Sequence, residues 1–230
     1  MLMNTSEIEV DIEDAYCYMG GHGDIDPRTK TELQSAAELI KKHLQLRVVK
    51  KICDLDRSDG LSLKGTCLKL YGKGIDALLH DCDICAIFCA TVGGDIEPLT
   101  RKWEIKDLAF AAMLDACASS AVESLCDSVE NEISEEYAAK GFYLTDRFSP
   151  GYGDLPITIQ KDFCAVLDTS RRIGVSVSDS GIMIPRKSVT AIIGLSTREQ
   201  KHRLYGCRDC ILIKDCKFRE TGVTCYGQAV

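Results

Sequence analysis

The segment Ile84–Thr91 places the strongest constraint on how this chain can fold. Apolar or small side chains occupy both sets of alternate positions: Ile84, Ala86, Phe88 and Ala90 in one set, and Cys85, Ile87 and Cys89 in the other. Successive side chains of a strand point to opposite faces of its sheet. The pattern therefore predicts a strand buried on both faces, and the glycines at positions 93 and 94 end it.

Other segments predict helices and further strands around this one. Asp26-Pro27 is a strong helix start, and apolar residues then recur at helical spacing as far as position 44. Residues 105–139 read as one long helix or two abutting helices, rich in alanine and serine. Shorter helices are predicted near 75–79 and 157–167, and strands at 46–55, at 67–70, after Gly141 and between 173 and 195. We expect one α+β domain over residues 1–200 and a cysteine-rich tail over residues 201–230.

The charge of the 230-residue chain is −7 and is unevenly spread. Residues 198–219 contain seven Lys or Arg and three Asp or Glu, so this stretch carries +4 and the remainder −11. An acidic body argues against non-specific binding of nucleic acid. No run of about eighteen apolar residues indicates a membrane helix, and the acidic N-terminus lacks the pattern of a secretory signal. We therefore expect a cytoplasmic protein that binds neither nucleic acid nor membrane.

Residues 147–156, with the sequence RFSPGYGDLP, form an unusual segment. Two prolines and two glycines in ten residues predict a rigid, sharply turned loop. Arg147 offers a bidentate fork for a carboxylate, Tyr152 offers a ring and a hydroxyl, and the amides of Ser149 and Gly151 are candidate donors to an amino-acid or nucleoside group. The alternative is a structural turn with a surface arginine.

The pattern Arg-x-x-Pro-Gly-Tyr-x-x-x-Pro of this loop resembles the signature of the activation domain of B12-dependent methionine synthase. Residues 179–189, in which a proline precedes Ser188-Val189, are similar to the next strand pair of that family. The likeness spans about residues 125–196. One departure is that residues 190–194 contain no aromatic side chain, whereas the family carries aromatic residues there that touch S-adenosylmethionine.

The resemblance implies a curved, mostly antiparallel sheet flanked by helices, and a loop that binds S-adenosylmethionine. Arg147 would hold the methionine carboxylate, and loop backbone and Tyr152 would contact the rest. The cofactor-binding residues carried over in this way are Arg147, Ser149, Pro150, Gly151 and Tyr152. The implied function is reactivation of a cobalamin-dependent methyltransferase, in which S-adenosylmethionine methylates a cobalamin held by a partner protein or domain. The chain would contribute positioning rather than acid–base chemistry, since its four histidines share no motif.

Thirteen cysteines in a chain expected in a reducing compartment do not indicate a disulfide framework. Cys82, Cys85 and Cys89 have a metal-like spacing, but residues 85 and 89 of one strand lie about 13 Å apart, too far to share one ion. We therefore predict that these three thiols belong to the core. The same holds for Cys117, Cys126 and Cys164, which fall in predicted helices.

The cysteines of the tail have a different pattern. Cys207, Cys210, Cys216 and Cys225 lie within nineteen residues, and the C-x2-C pair lets two sulfurs bind one metal or cluster from a single turn. A [4Fe–4S] cluster, a structural zinc ion, and loose thiols or a disulfide all remain open. If the chain has the function that the resemblance implies, a cluster could supply an electron, because the return of cob(II)alamin to its active form needs one electron as well as a methyl group.

Two other functions compete with reactivation. One is an Fe–S or zinc electron-transfer or interaction subunit of a corrinoid methyltransferase system that does not bind S-adenosylmethionine. The other is an unrelated small-molecule enzyme on the same fold. Saturable binding of S-adenosylmethionine that is weakened by Arg147→Ala would distinguish the reactivation function from the subunit.

Overall fold

A five-stranded antiparallel sheet organises residues 8–200, the part of the chain that the computed structural model describes. The helices are α1 (Ile12–Tyr18), α2 (Pro27–Lys41), α3 (Lys73–Leu78), α4 (Ile96–Glu104), α5 (Leu108–Ala138), α6 (Gln160–Leu167) and α7 (Thr169–Ile173), with a 3-10 turn at Ile157–Ile159. The strands are β1 (Arg47–Asp56), β2 (Ser62–Leu63), β3 (Ile84–Thr91), β4 (Tyr143–Leu144), β5 (Ser176–Val177), β6 (Met183–Ile184) and β7 (Ser188–Ser196). The predicted α+β fold with an antiparallel sheet and flanking helices is confirmed.

The central position of β3 explains its apolar sequence. The strand order is β2-β1-β3-β7-β4, and β5 and β6 form a separate two-stranded hairpin. β3 pairs along its whole length with β1 on one side and with β7 on the other, with Thr91 opposite Arg47 and Ser188. Every residue from Cys85 to Ala90 is fully buried. The prediction of a strand buried on both faces is confirmed, and its bounds agree with the sequence pattern.

Helices cover the two faces of the sheet and create two apolar cores. On one face, Phe88 and Ile193 pack with side chains of α2 and α5, including Ile40 and Leu125. On the other face, the alternate residues Ile87 and Ile192 pack with side chains of α3, α6 and the segment after α7; this second core includes Ile75, Leu79, Phe163 and Val175. The two-residue period of β3 and β7 thus distributes their side chains between two separate cores.

The long helix α5 lies in the middle of the first core. Its first turn is capped by the Asp107 carboxylate, which accepts a hydrogen bond from the Phe110 amide at 3.1 Å. Small side chains such as Ala118 and Ala121 are fully buried where the helix meets its neighbours. By length and composition alone α5 could cross a membrane, but more than half of its apolar stretch is buried inside the domain. Such a helix is typical of a protein core, so its composition gives little support for a membrane span.

Some elements differ from the sequence predictions. The region 105–139 contains one helix that begins at Leu108, and the shorter α4 before it was not predicted; only Ile96 of α4 is buried, so its apolar pattern is weak. Residues 67–70 form no strand, only an isolated bridge between Lys69 and Ser62 and backbone hydrogen bonds back to residues 61 and 63. The helix that follows Asp26-Pro27 is confirmed, with the Asp26 carboxylate accepting from the Arg28 and Thr29 amides.

Candidate functional site

Loop 147–156 begins with a short pairing to the strand β7. Phe148 forms an isolated antiparallel bridge with Ile192 of β7, in which the Phe148 amide donates to Ile192 oxygen at 2.9 Å and the Ile192 amide donates to Phe148 oxygen at 2.8 Å. The Phe148 ring is buried in the second core. Because neighbouring side chains of an extended segment point to opposite sides, Arg147 points away from that core and reaches α5.

Three hydrogen bonds within the loop fix its shape. The Tyr152 amide donates to Ser149 oxygen at 3.0 Å, the Gly151 amide to Leu155 oxygen at 2.8 Å, and the Leu155 amide to Tyr152 oxygen at 3.1 Å. Gly151 has a φ of 90°, a left-handed conformation that favours glycine. The predicted sharply turned loop is therefore present. The Gly151 amide, however, is engaged within the loop, so the expectation that it is free for a ligand is wrong.

Asp154 fastens the loop to the start of α3. Its carboxylate accepts hydrogen bonds from the Lys73 amide at 2.5 Å and from the Gly74 amide at 3.0 Å. The hydrogen bond from Gly74 is the largest of the effects that lower the pKa of Asp154. Sequence reasoning missed this contact, because it joins positions about eighty residues apart and neither segment carries a pattern that points to the other.

Arg147 lies among three carboxylates of α5. Its Nη1 atom is 2.6 Å from Asp127 Oδ1 and 3.4 Å from Glu130 Oε2, and its Nη2 atom is 3.3 Å from Glu123 Oε2. We call these four residues the Arg147 cluster. The arginine side chain is only 23% exposed. Burial raises the pKa of Glu123, against the lowering effect of Arg147.

The charge balance of the Arg147 cluster was not apparent from the sequence. One guanidinium faces three carboxylates, so the cluster carries a surplus of negative charge beside the loop. Glu123, Asp127 and Glu130 recur at helical spacing, which places them on one face of α5. That spacing was the available signal, but nothing in the sequence connected this face with Arg147. The arginine therefore already contacts acids of its own chain, and its predicted role as a fork for a ligand carboxylate stays a prediction.

The other predicted binding residues surround this cluster. Pro150 is buried and Ser149 is half-buried. Within residues 8–200, the Ser149 amide takes part in none of the hydrogen bonds of the loop, whereas its carbonyl accepts from Tyr152. The Tyr152 ring stands perpendicular to that of Phe148 at a centroid distance of 5.3 Å, and the residue is 44% exposed.

The strand β7 has no aromatic side chain at the positions where the family has aromatic contacts. Ile192 and Ile193 are both fully buried, one in each core, and so they contribute to packing and not to a surface. The exposed apolar side chains near the loop come from elsewhere. Ile157 lies against Gly151 and Gly181, and Ile182 follows Gly181 in the chain. With Tyr152, they are the large apolar side chains exposed in this region.

The cysteines of the body have no metal-binding arrangement. Cys82, Cys85 and Cys89 are buried in the second core, and Cys117 and Cys126 are buried on α5, which confirms the predicted core role. Burial raises the pKa of the Cys85 thiol above its usual range, and burial likewise raises that of Cys117 to about 11. Among residues 8–200, no group of three or more His, Cys, Asp or Glu side chains is placed to hold a metal ion. The predicted ligands Cys207, Cys210, Cys216 and Cys225 lie outside the described residues.

Comparisons with known proteins agree with this fold. The sequence profile described as "Vitamin B12 dependent methionine synthase, activation domain" matches residues 76–209, more than half of the chain. The structure is similar to the crystal structure of the MetH reactivation domain bound to AdoHcy, with a TM-score of 0.60 and 17% sequence identity over 85% of this chain and 79% of that one. At this identity the likeness shows the fold alone. No curated protein matches the sequence.

Proposed function

Because this chain belongs to the family of vitamin B12-dependent methionine synthase activation domains, we propose that it returns an inactivated cobalamin-dependent methyltransferase to activity. In this role it binds S-adenosylmethionine at loop 147–156 and presents the methyl group to a cobalamin held by a partner protein or domain. The methyl group passes from the sulfonium to the reduced cobalt, and S-adenosylhomocysteine remains. The observation that carries the proposal is the fixed loop, with Arg147 and Tyr152 beside the carboxylates of α5, in a chain of this family.

The charges of the Arg147 cluster suit the ligand. S-adenosylmethionine carries one carboxylate and two cationic groups, the ammonium and the sulfonium. Arg147 has five N–H donors, and its contacts with α5 involve only those on its two terminal nitrogens. It therefore keeps a donor for the ligand carboxylate. The surplus of carboxylates from Glu123, Asp127 and Glu130 balances the cationic groups. Opposite charges thus orient the ligand along the cluster.

The remaining loop residues complete the proposed site. The exposed Tyr152 ring and the neighbouring Ile157 give an apolar surface for the nucleoside, and the Ser149 amide is a donor that the loop does not use. Pro150 and Gly151 hold the backbone in the shape that these contacts require. No general acid or base is needed, because the methyl group moves to a strong nucleophile; the chain accelerates the step by orientation.

For the tail we propose that Cys207, Cys210, Cys216 and Cys225 hold a [4Fe–4S] cluster that supplies the electron for reductive methylation, with a structural zinc ion as the alternative. The basic residues of 198–219 would favour the thiolate form of these cysteines. We place the protein in the cytoplasm with a cobalamin-binding methyltransferase protein or domain as its partner.

A second function has specific support. The terminal nitrogens of Arg147 already contact three carboxylates, and residues 190–194 supply no aromatic contact. Both observations favour an interaction or electron-transfer subunit of a corrinoid methyltransferase system that does not bind S-adenosylmethionine.

Calorimetric titration of the purified full chain with S-adenosylmethionine and S-adenosylhomocysteine distinguishes the two functions. The reactivation function predicts saturable binding of both compounds and weaker binding by Arg147→Ala. The matched control is Arg171→Ala, since Arg171 is an exposed arginine on α7 whose one ion pair within residues 8–200 is with Asp168 of its own turn. Folded wild-type protein that shows no saturable binding would favour the subunit.

The tail is tested separately by preparing the protein without oxygen and measuring iron, zinc and visible absorption. A broad band near about 400 nm with roughly four irons per chain indicates a [4Fe–4S] cluster. A colourless protein that contains zinc assigns the tail a structural role, and the proposed function then depends on loop 147–156 alone.

A further inference from the structure

A cavity of about 220 Å³ opens on the side of the domain formed by α6, α7 and β5. Its lining includes Lys161, Cys164, Asp168, Thr169, Val175 and Val177. Loop 147–156 contributes no residue to this lining, so the cavity is distinct from the proposed S-adenosylmethionine site. Only 6% of Cys164 is exposed to solvent, which leaves the cavity as the route by which a small molecule reaches its thiol.

A second thiol lies directly behind Cys164. The side chains of Cys164 on α6 and Cys89 on the central strand β3 lie close enough for each thiol to shift the pKa of the other. The Gln160 amide confirms that helix and strand meet at this point: its Nε2 atom is 3.6 Å from Cys164 Sγ and 2.8 Å from Thr190 Oγ1. Thr190 is the direct cross-strand neighbour of Cys89. We call Cys89 and Cys164 the thiol pair.

The two thiols of the pair differ in how readily they lose a proton. The interaction with Cys89 lowers the pKa of Cys164, and hydrogen bonds from Gln160 and Thr169 act in the same direction. The interaction with Cys164, together with burial, raises the pKa of Cys89. Cys164 is therefore the more acidic thiol of the pair and the one that forms a thiolate more readily. A thiolate is the form of cysteine that attacks peroxides and other electrophiles.

We propose that Cys164 is a site of oxidation by hydroperoxides and that Cys89 converts the oxidised residue into an intramolecular disulfide. In the first step the Cys164 sulfur attacks one peroxide oxygen; an S–O bond forms, the O–O bond breaks, and water or an alcohol leaves after protonation. In the second step the Cys89 sulfur attacks the sulfenic sulfur; an S–S bond forms, the S–O bond breaks, and water leaves. Two thiols lose two electrons in total, and one peroxide is reduced.

The position of the thiol pair gives this disulfide a structural consequence. It would join α6 to the central strand, and α6 follows loop 147–156 after the single turn Ile157–Ile159. Oxidation would therefore attach the segment that carries the loop to the middle of the sheet. The site does not depend on the proposed function, since it involves no residue of the loop.

The test treats the reduced full chain with one equivalent of hydrogen peroxide, alkylates the remaining thiols and identifies cross-linked peptides by mass spectrometry. We expect a Cys89–Cys164 peptide to form about tenfold faster than any oxidation of Cys117, which is fully buried. In Cys89→Ala, Cys164 should stop at the sulfenic acid, which a cyclic diketone traps. In Cys164→Ser, Cys89 should remain a thiol, and Cys117→Ala should behave as the wild type does.

Three outcomes would overturn the proposal. The first is that both thiols of the pair stay reduced after the exposed Cys67 has been oxidised. The second is that the disulfide forms only in urea, after unfolding. The third is that Cys164 becomes linked to a cysteine other than Cys89. If a variant does not fold, as judged by circular dichroism, alkylation of the native wild type decides: Cys164 must react with iodoacetamide about tenfold faster than Cys117.

Discussion

Replacing Arg147 with methionine tests how strongly the carboxylates of α5 depend on a single cation. Methionine keeps much of the apolar stem of arginine and removes the charge, so the change acts mainly on the Arg147 cluster. An exposed ion pair contributes about 0.2–1 kcal/mol, and breaking a buried pair costs about 3–5 kcal/mol. Arg147 is only 23% exposed, while its partners are 31% to 62% exposed. We therefore expect the free energy of unfolding to fall by about 2 kcal/mol near neutral pH.

The same variant should respond to pH with a definite sign. The pKa of Glu123 is already raised by burial, and removal of Arg147 takes away the effect that opposes this shift. A carboxyl with a raised pKa in the folded state binds more protons there than in the unfolded state, so stability falls as pH rises through that interval. The loss of stability is complete above the raised pKa of Glu123, and it disappears below 4.5, the pKa of this residue in the unfolded chain. Arg147→Met should accordingly lose more stability than the wild type as the pH rises from 4.5, the unfolded value, to neutral pH.

Urea denaturation in the presence of reductant, followed by circular dichroism, measures both effects. The matched control is Arg171→Met, because Arg171 is 86% exposed and should change stability by less than about 0.5 kcal/mol. In the double variant Arg147→Met/Glu123→Gln, part of the loss should be recovered. The reasoning is refuted if Arg147→Met is no less stable than Arg171→Met, or if its deficit is the same at both pH values.

Two further predictions concern contacts that hold the loop and the sheet. Asp154→Ala should lower the free energy of unfolding by about 1 kcal/mol near neutral pH, because two amides at the start of α3 lose their acceptor. Since the pKa of Asp154 is lowered, this difference is complete above the unfolded value of 3.8 and should vanish as pH falls through the folded pKa; urea midpoints across acid pH measure it. Gly194→Ala should cost about 1–3 kcal/mol, because its Cβ would lie 2.6 Å from Cys82 Sγ and 2.7 Å from Leu79 Cδ2. Gly94→Ala, with its nearest neighbour at 3.8 Å, should unfold in urea near the wild-type midpoint, and equal midpoints for both glycine variants would contradict the packing argument.

The parts of the fold that were predicted from sequence are those that local patterns determine. β3 was predicted with its bounds because both of its faces are apolar, and the start of α2 because aspartate and proline act within one turn. The strand order was not predicted, since pairing joins segments that are distant in sequence; the family resemblance implied only a mostly antiparallel sheet. The short α4 was missed because one buried residue, Ile96, gives too weak a helical signal.

The candidate site was predicted only in its position. The loop was found because prolines and glycines restrict the backbone locally. The surroundings of Arg147 were not found, because they depend on how α5 packs against the sheet and bring together residues about twenty positions apart. The contacts of Asp154 with α3 are of the same kind. The assignment of Arg147, Ser149, Pro150, Gly151 and Tyr152 to a ligand stays a prediction, as does the metal site of the tail.

The bridge between Phe148 and Ile192 has a consequence for how the loop behaves without a ligand. Both of its hydrogen bonds belong to the fully paired part of β7, and the Phe148 ring is buried. The Phe148 amide should therefore exchange with solvent deuterium as slowly as the amides of β3, through openings that disrupt the sheet itself. We therefore expect the segment next to this bridge to keep one backbone shape in the folded chain. A ligand then finds its contact surface already formed, so that association needs no ordering of the backbone and loses little conformational entropy.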